Sequence, residues 1–155
     1  MGGYMPFSSE CGKAHIKRII NKIKPKTALD IGCGMGTYAR MFPDLEWTGV
    51  EIWEPYIEKY DLKSLYPTLH TVDVRYWTPS QRYDVAFLGD VLEHMPVTDA
   101  RYALERVREC AETVIVSIPM GYYPQDAYEG NPHEEHITHN WTPSLFHSVF
   151  GSSDW

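Results

Sequence analysis

Apolar residues change their period along the chain, and each change marks an element. Ile16, Ile19, Ile20 and Ile23 fall at i, i+3, i+4 and i+7, one face of a helix that must stop before Pro25. Thr27 to Ile31 reads as a short strand running into glycines. A brief helix is predicted from about Thr37 to Phe42, ending at Pro43, then a strand over Trp47 to Ile52 and a helix opened by Pro55. Leu69 to Val74 predicts a third strand. Tyr83 to Leu88 is apolar apart from Asp84, the pattern of a strand covered on both faces. From Thr98, taken as an N-cap, Ala100, Ala103, Leu104, Val107 and Ala111 share one helical side, and Thr113 to Ile118 predicts a fifth strand.

Strand, helix, strand alternation of this kind requires right-handed crossovers. It predicts an α/β fold, a Rossmann-like, doubly wound, mostly parallel sheet with helices on both faces. Past Pro119 the periodicity stops: Gly121 to Asn140 is rich in Tyr, Pro, His, Glu and Asn and predicts a long loop over the sheet's edge or mouth. Thr142, Pro143 and Gly151 have the N-cap, first-turn proline and closing glycine of one last short helix.

Composition narrows the picture. With 155 residues, 43% of them apolar, residues 1–155 are expected to form a single domain. No apolar stretch is long enough to cross a bilayer and Met1 to Glu10 lacks the order of a signal peptide, so a cytoplasmic location without membrane attachment is expected. Cys11, Cys33 and Cys110 are odd in number and widely spaced, and read as reduced thiols. A net charge of −7, with Lys and Arg clustered only between Lys13 and Lys26, speaks against a nucleic-acid partner.

The chemistry starts at Leu29 to Gly36, LDIGCGMG. A strand delivers the backbone into a turn where Gly32, Gly34 and Gly36 can take positive φ and let a ligand approach. The next strand ends at Glu51, at the distance from the loop where an acid can accept from both ribose hydroxyls of an adenosine. GxGxG in place of GxGxxG points away from a dinucleotide, and no Tyr-Lys pair for a nicotinamide oxidoreductase can be placed. With these motifs the sequence resembles the class I S-adenosylmethionine-dependent methyltransferases over roughly Ala28 to Pro119. LDIGCGMG is similar to the family's first motif, GVEI (Gly49 to Ile52) to its second, TVDV (Thr71 to Val74) to its third, and YDVAFLGDVLEHM (Tyr83 to Met95) to its fourth strand and following loop.

The resemblance implies S-adenosylmethionine as cofactor, with Asp30 supporting the glycine loop and the methionine ammonium. Gly32, Cys33, Gly34 and Gly36 would lie along the cofactor, Glu51 would bind the ribose and Ile52 would pack on the adenine. Asp73 would accept from the adenine amino group, the Val74 amide would meet a ring nitrogen, and Gly89 and Asp90 would border the methionyl part. Other readings of single residues stay open: Asp30 as a cap of the loop amides, and Asp90, Glu93 and His94 as helix-start capping.

Transfer of a methyl group needs an oriented acceptor, and a base only where the acceptor must lose a proton. Candidates lie in two places, Asp90, Glu93 and His94 after the fourth strand and His133, Glu134, Glu135, His136 and His139 in the loop after the fifth. Of these, Asp90, His94 and His136 are taken as the catalytic residues. His133, His136 and His139 recur every third residue with Glu134 and Glu135 between, but without HExxH spacing or a helical frame, so no metal is expected. Tyr122, Tyr123, Tyr128 and Trp141, with Trp53, Tyr56 and Tyr60, could stack on a planar acceptor or simply pack. The Asn-Pro-Pro-Tyr, Pro-Cys and Asp-Asn signatures of other methyltransferase branches are missing, which leaves small-molecule or peptide-like acceptors. The sequence stops before the sixth and seventh strands of a full class I fold, so the expected sheet lacks the terminal antiparallel strands. An open edge at the fifth strand would invite a homodimer, and a non-catalytic binder of the cofactor or its demethylated product is the alternative function.

Overall fold

The computed structural model describes residues 12–151; Cys11 and Ser152 to Trp155, where a further strand could begin, lie outside the described residues. Helix α1 (Lys13–Ile23) buries Ile16 and Ile20 and ends at Lys24. Strand β1 (Thr27–Ile31) leads through the glycine loop to α2 (Thr37–Met41), followed by β2 (Glu46–Glu51), α3 (Glu54–Lys59), α4 (Leu62–Leu65) and β3 (Thr68–Thr71). Strand β4 (Tyr83–Gly89), a 3₁₀ turn at Leu92–His94, α5 (Val97–Cys110) and β5 (Ala111–Ser117) complete the main sheet. A small pair, β6 (Gly121–Tyr122) and β7 (Asn140–Trp141), precedes α6 (Pro143–Phe150).

The five main strands run parallel in the order β3-β2-β1-β4-β5. The chain winds outward one way from β1 and then the other way from β4, which puts the topological switch point between these two strands, the usual position of a ligand crevice. Period-2 alternation divides the core. Leu29, Ile31, Ala86 and Leu88 join a cluster with α5 and α6, whereas Ala28, Val85 and Phe87 join one with α1 to α4. Buried polar Asp30, on the second face, must therefore have a reason beyond packing.

Several boundaries differ from the sequence reading. The third strand ends at Thr71 and not Val74, because the Asp73 carbonyl accepts from the Tyr76 and Trp77 amides and turns the chain out of the sheet. Helix α5 starts under Pro96, whose carbonyl accepts from Asp99 and Ala100, so Thr98 lies inside the helix and is no cap. Ala111 is the first residue of β5, paired with Tyr83, and not the last helical one. The 121–140 segment contains one strand of a short antiparallel pair and a 3₁₀ turn at Pro132–Glu134. Thr142 caps α6 as expected, accepting from Leu145 N. Cys33 and Cys110 are buried free thiols.

Candidate active site

A cavity of about 580 Å³ opens at the carboxyl ends of the central strands, within the range of small-molecule sites. Its lining joins residues from the glycine loop, the end of β2, the turn after β3, the segment after β4 and the 121–140 loop.

In the glycine loop, Gly32, Gly34 and Gly36 all have positive φ. Their local reasons differ. A Cβ on Gly34 would meet nothing nearer than the Gly32 carbonyl at 3.8 Å, so Gly34 presents bare backbone to the cavity. A Cβ on Gly36 would lie 2.4 Å from Leu65 Cδ1, and Gly36 does not line the cavity. Gly36 is small so that the loop can pack on α4. Cys33 lines the cavity but is nearly buried.

Two acids hold this loop in shape. Glu51 is 4% exposed; its Oε2 accepts from the Gly34 amide at 2.8 Å and its Oε1 from the Trp53 amide at 2.8 Å. A carboxylate has about four acceptor positions, so each oxygen keeps capacity for a further donor from the cavity. Burial raises the Glu51 pKa while those two amides lower it. Asp30 is 2% exposed and accepts from the Tyr66 hydroxyl at 2.6 Å. Desolvation, with the nearby Glu51 charge, raises its pKa to about 7, against the opposing Tyr66 hydrogen bond. A cation next to Asp30 would relieve that cost.

Ile52, Asp73 and Val74 also line the cavity. Asp73, however, accepts from Arg75: Oδ1 takes the backbone amide (2.9 Å) and Nε (3.1 Å), and Oδ2 takes Nε (2.9 Å) and Nη2 (2.6 Å). Arg75 reaches on to Asp99. Asp73, expected to accept from an adenine amino group, is thus already engaged on both oxygens.

At the end of β4, Gly89 and Asp90 reach the cavity wall. Asp90 has φ 54, its amide donates to the Ser117 carbonyl and its Oδ1 accepts from Ser117 Oγ at 3.1 Å. Beyond it the 3₁₀ turn places Glu93, which is fully buried, and His94 on the same wall. Glu93 was read from the sequence either as a candidate beside the acceptor or as capping and solubilising the helix start; burial rules out a solubilising role.

The 121–140 loop is pinned over this wall. Thr138 donates its amide to the Glu93 carbonyl and its hydroxyl to the Met95 carbonyl, both at 2.9 Å. His136 is 8% exposed, and its ring lies 5.0 Å from that of His94, centroid to centroid. Asp90, His94 and His136 therefore share the cavity, as do His133 and Glu134, whereas His139 is exposed against Tyr122 and outside it. Among the aromatic candidates Tyr56 and Tyr123 line the cavity, Trp141 is fully buried against Phe150, and Tyr122 is exposed. Sequence reading missed Arg75, Gln125 and Asn131 as lining residues. The last two sit in the segment without a period, where no pattern announces direction.

A model of a methyltransferase domain family matches residues 28–113. No curated protein matches the sequence. Among solved structures, DesVI from Streptomyces venezuelae is similar at 20% identity and TM-score 0.57, covering 70% of this chain and 50% of that one. An S-adenosylmethionine-dependent methyltransferase from Clostridium acetobutylicum is similar at 14% identity and TM-score 0.61, with 76% and 56% covered. An amino pentose methyltransferase from Micromonospora echinaspora is similar at 17% identity and TM-score 0.57, with 83% and 64% covered. The chain thus spans less than two-thirds of the length of each of these structures. Taken with the order of strands and the glycine loop braced by Glu51, the family match means that the chain belongs to the class I S-adenosylmethionine-dependent methyltransferases.

Proposed function

We propose that the protein binds S-adenosylmethionine and transfers its methyl group to a small-molecule or peptide-like acceptor by in-line displacement. The observation that carries this reading is one cavity lined both by the glycine loop and Glu51 and by Asp90, His94 and His136. Residues suited to the cofactor and residues suited to the acceptor then belong to the same cavity.

The residues present fit the cofactor. Gly34 leaves open space where a side chain would stand, Glu51 keeps acceptor capacity for two hydroxyls, and buried Asp30 offers an acid to an ammonium. When bound, the cofactor supplies an electrophilic methyl group on a sulfonium. The chain contributes position and charge. Asp30, Glu51, Asp90 and Glu134 make the lining acidic, while the guanidinium of Arg75 is neutralised by Asp73 and Asp99. Such a lining favours the cationic cofactor and a neutral or cationic acceptor over an anionic one. Sugar-like amines are one such class, in line with the amino pentose methyltransferase among the similar structures.

His94 and His136 border the acceptor side. Desolvation holds the His94 pKa down at about 4, so it stays neutral at pH 7 and does not repel a cationic acceptor. The test is turnover: S-adenosylhomocysteine production by the 155-residue chain across panels of amines, hydroxylated small molecules and short peptides. Methylated product from at least one panel supports the reading. Cofactor binding with no product from any panel supports the non-catalytic alternative.

A further inference from the structure

Three donor groups meet on the acceptor side of the cavity. One donor atom from each of Glu93, His94 and His136 lies within 4.8 Å of the others. Ligands held at about 2.1 Å from one ion stand about 3–4 Å apart, so a small inward shift closes the set. The two segments that carry them are already joined through the hydrogen bonds of Thr138.

Glu93 asks for a partner. It is fully buried, and neither carboxylate oxygen has a hydrogen bond. Among the described residues the other buried side-chain atoms without partners are two indole nitrogens, of Trp77 and Trp141. An uncompensated buried acid is costly, and burial first, then the charges of Asp90 and Glu134, push its pKa well up. A cation at this point would answer all three carboxylates.

Both imidazoles are held by backbone carbonyls. His94 Nδ1 lies 3.1 Å from the Glu135 carbonyl and His136 Nδ1 lies 2.6 Å from the Tyr123 carbonyl. A carbonyl oxygen only accepts, so each Nδ1 carries the proton, and in the neutral ring Nε2 keeps its lone pair. A backbone carbonyl fixing one nitrogen while the other faces a metal is the usual support of a ligating histidine.

We propose that Glu93, His94 and His136 form a binding site for one divalent first-row transition ion, namely manganese, iron, cobalt or zinc. Two imidazoles and one carboxylate suit these ions better than magnesium or calcium, which favour all-oxygen sets. All three residues line the cavity, so the remaining coordination positions open onto it. In combination with the methyl-transfer reading, on which this last point alone rests, they would receive an oxygen of the acceptor, such as a hydroxyl. The sequence reading expected no metal here because it looked for spacing within His133 to His139; the set in the structure takes only His136 from that segment.

The test uses the full chain without an affinity tag, stripped by chelator and titrated with cobalt(II) alone. One equivalent should bind with d–d absorption bands of a nitrogen and oxygen site. Affinity should fall at least about tenfold in Glu93→Gln and in His136→Gln and stay unchanged in His139→Ala. Pulsed electron paramagnetic resonance on the manganese(II)-loaded wild type, which needs no variant, should show coupling to histidine nitrogen. Absence of cobalt and manganese binding at millimolar metal would overturn the site and leave Glu93 a protonated buried acid. So would binding that neither variant weakens, or manganese without histidine coupling. S-adenosylhomocysteine titrated in parallel reports on the cofactor half of the cavity, so a failure of the methyl-transfer reading is seen separately.

Discussion

At the scale of single residues, the acids of the glycine loop differ in what they make testable. Asp30 has its pKa raised to about 7 by burial, whereas in the unfolded chain it titrates near 3.8. Between these values the folded state holds the extra proton, so stability falls as pH rises from about 4 to 7 and is flat above. Relative to Asp30→Asn, the wild type should lose on the order of 4 kcal/mol across that window, as read by urea denaturation at a series of pH values. Parallel pH profiles for the two proteins would contradict the placement. An ammonium bound beside Asp30 would expel its proton. Calorimetry below pH 7 in buffers of different ionisation heat should therefore show proton release on S-adenosylhomocysteine binding, and none with Asp30→Asn. The glycines separate in the same way. Gly36→Ala should cost about 2–4 kcal/mol of stability, from positive φ and the clash with Leu65. Gly34→Ala should cost only about 1 kcal/mol of fold but weaken cofactor binding, because its Cβ enters open cavity. Equal effects on stability would show that Gly36 does not pack as described. Gly32, Gly34 and Glu51 were legible in the sequence because a strand, a turn and the next strand end fix their mutual positions locally. Glu93 was a candidate in the sequence, but its burial was not legible there, since it and its neighbours depend on a loop far along the chain.

At the scale of elements, strands with neighbours on both sides were legible and segments leaving the sheet were not. The β1 and β4 patterns give their strands almost residue for residue because burial on both faces leaves little freedom. β3 came out shorter than its apolar pattern because Val72 and Val74 follow a hydrogen-bonded exit from the sheet: Val72 still donates to Glu51, but Asp73 already closes a turn. Helix α6 was announced by Thr142 and Pro143, and the Thr142 side chain does accept from Leu145. Thr142→Ala should destabilise the fold by about 1 kcal/mol through loss of that cap, measured as a lower denaturation midpoint; an unchanged midpoint would mean that packing of Trp141, Phe146 and Phe150 alone sets this end. The short β6–β7 pair had no sequence signal, since a two-residue strand has no period. Yet it helps close the loop that carries His136, with Tyr123 donating its amide to the His139 carbonyl beside it.

At the scale of the whole molecule, five parallel strands leave β5 bonded to β4 alone within the main sheet. Pairing of two copies along this edge is the expected route to a dimer, and sedimentation at high protein concentration checks it: a monomeric mass would contradict it. No helix among the described residues is long and apolar enough to cross a membrane. The glycine loop leaves β1 and the turn with Glu93 and His94 leaves β4, so these parts of the cavity meet at the switch point, with His136 brought in from the loop after β5. The most direct measurement is calorimetric titration of the 155-residue chain with S-adenosylmethionine, with NAD in parallel. Saturable one-to-one binding of S-adenosylmethionine, weakened at least about tenfold in Glu51→Ala by loss of the ribose acceptor, and no binding of NAD is the predicted result. Failure of the wild-type chain to bind S-adenosylmethionine, or binding that Glu51→Ala leaves intact, would contradict the assignment of the glycine loop and Glu51 as the cofactor site.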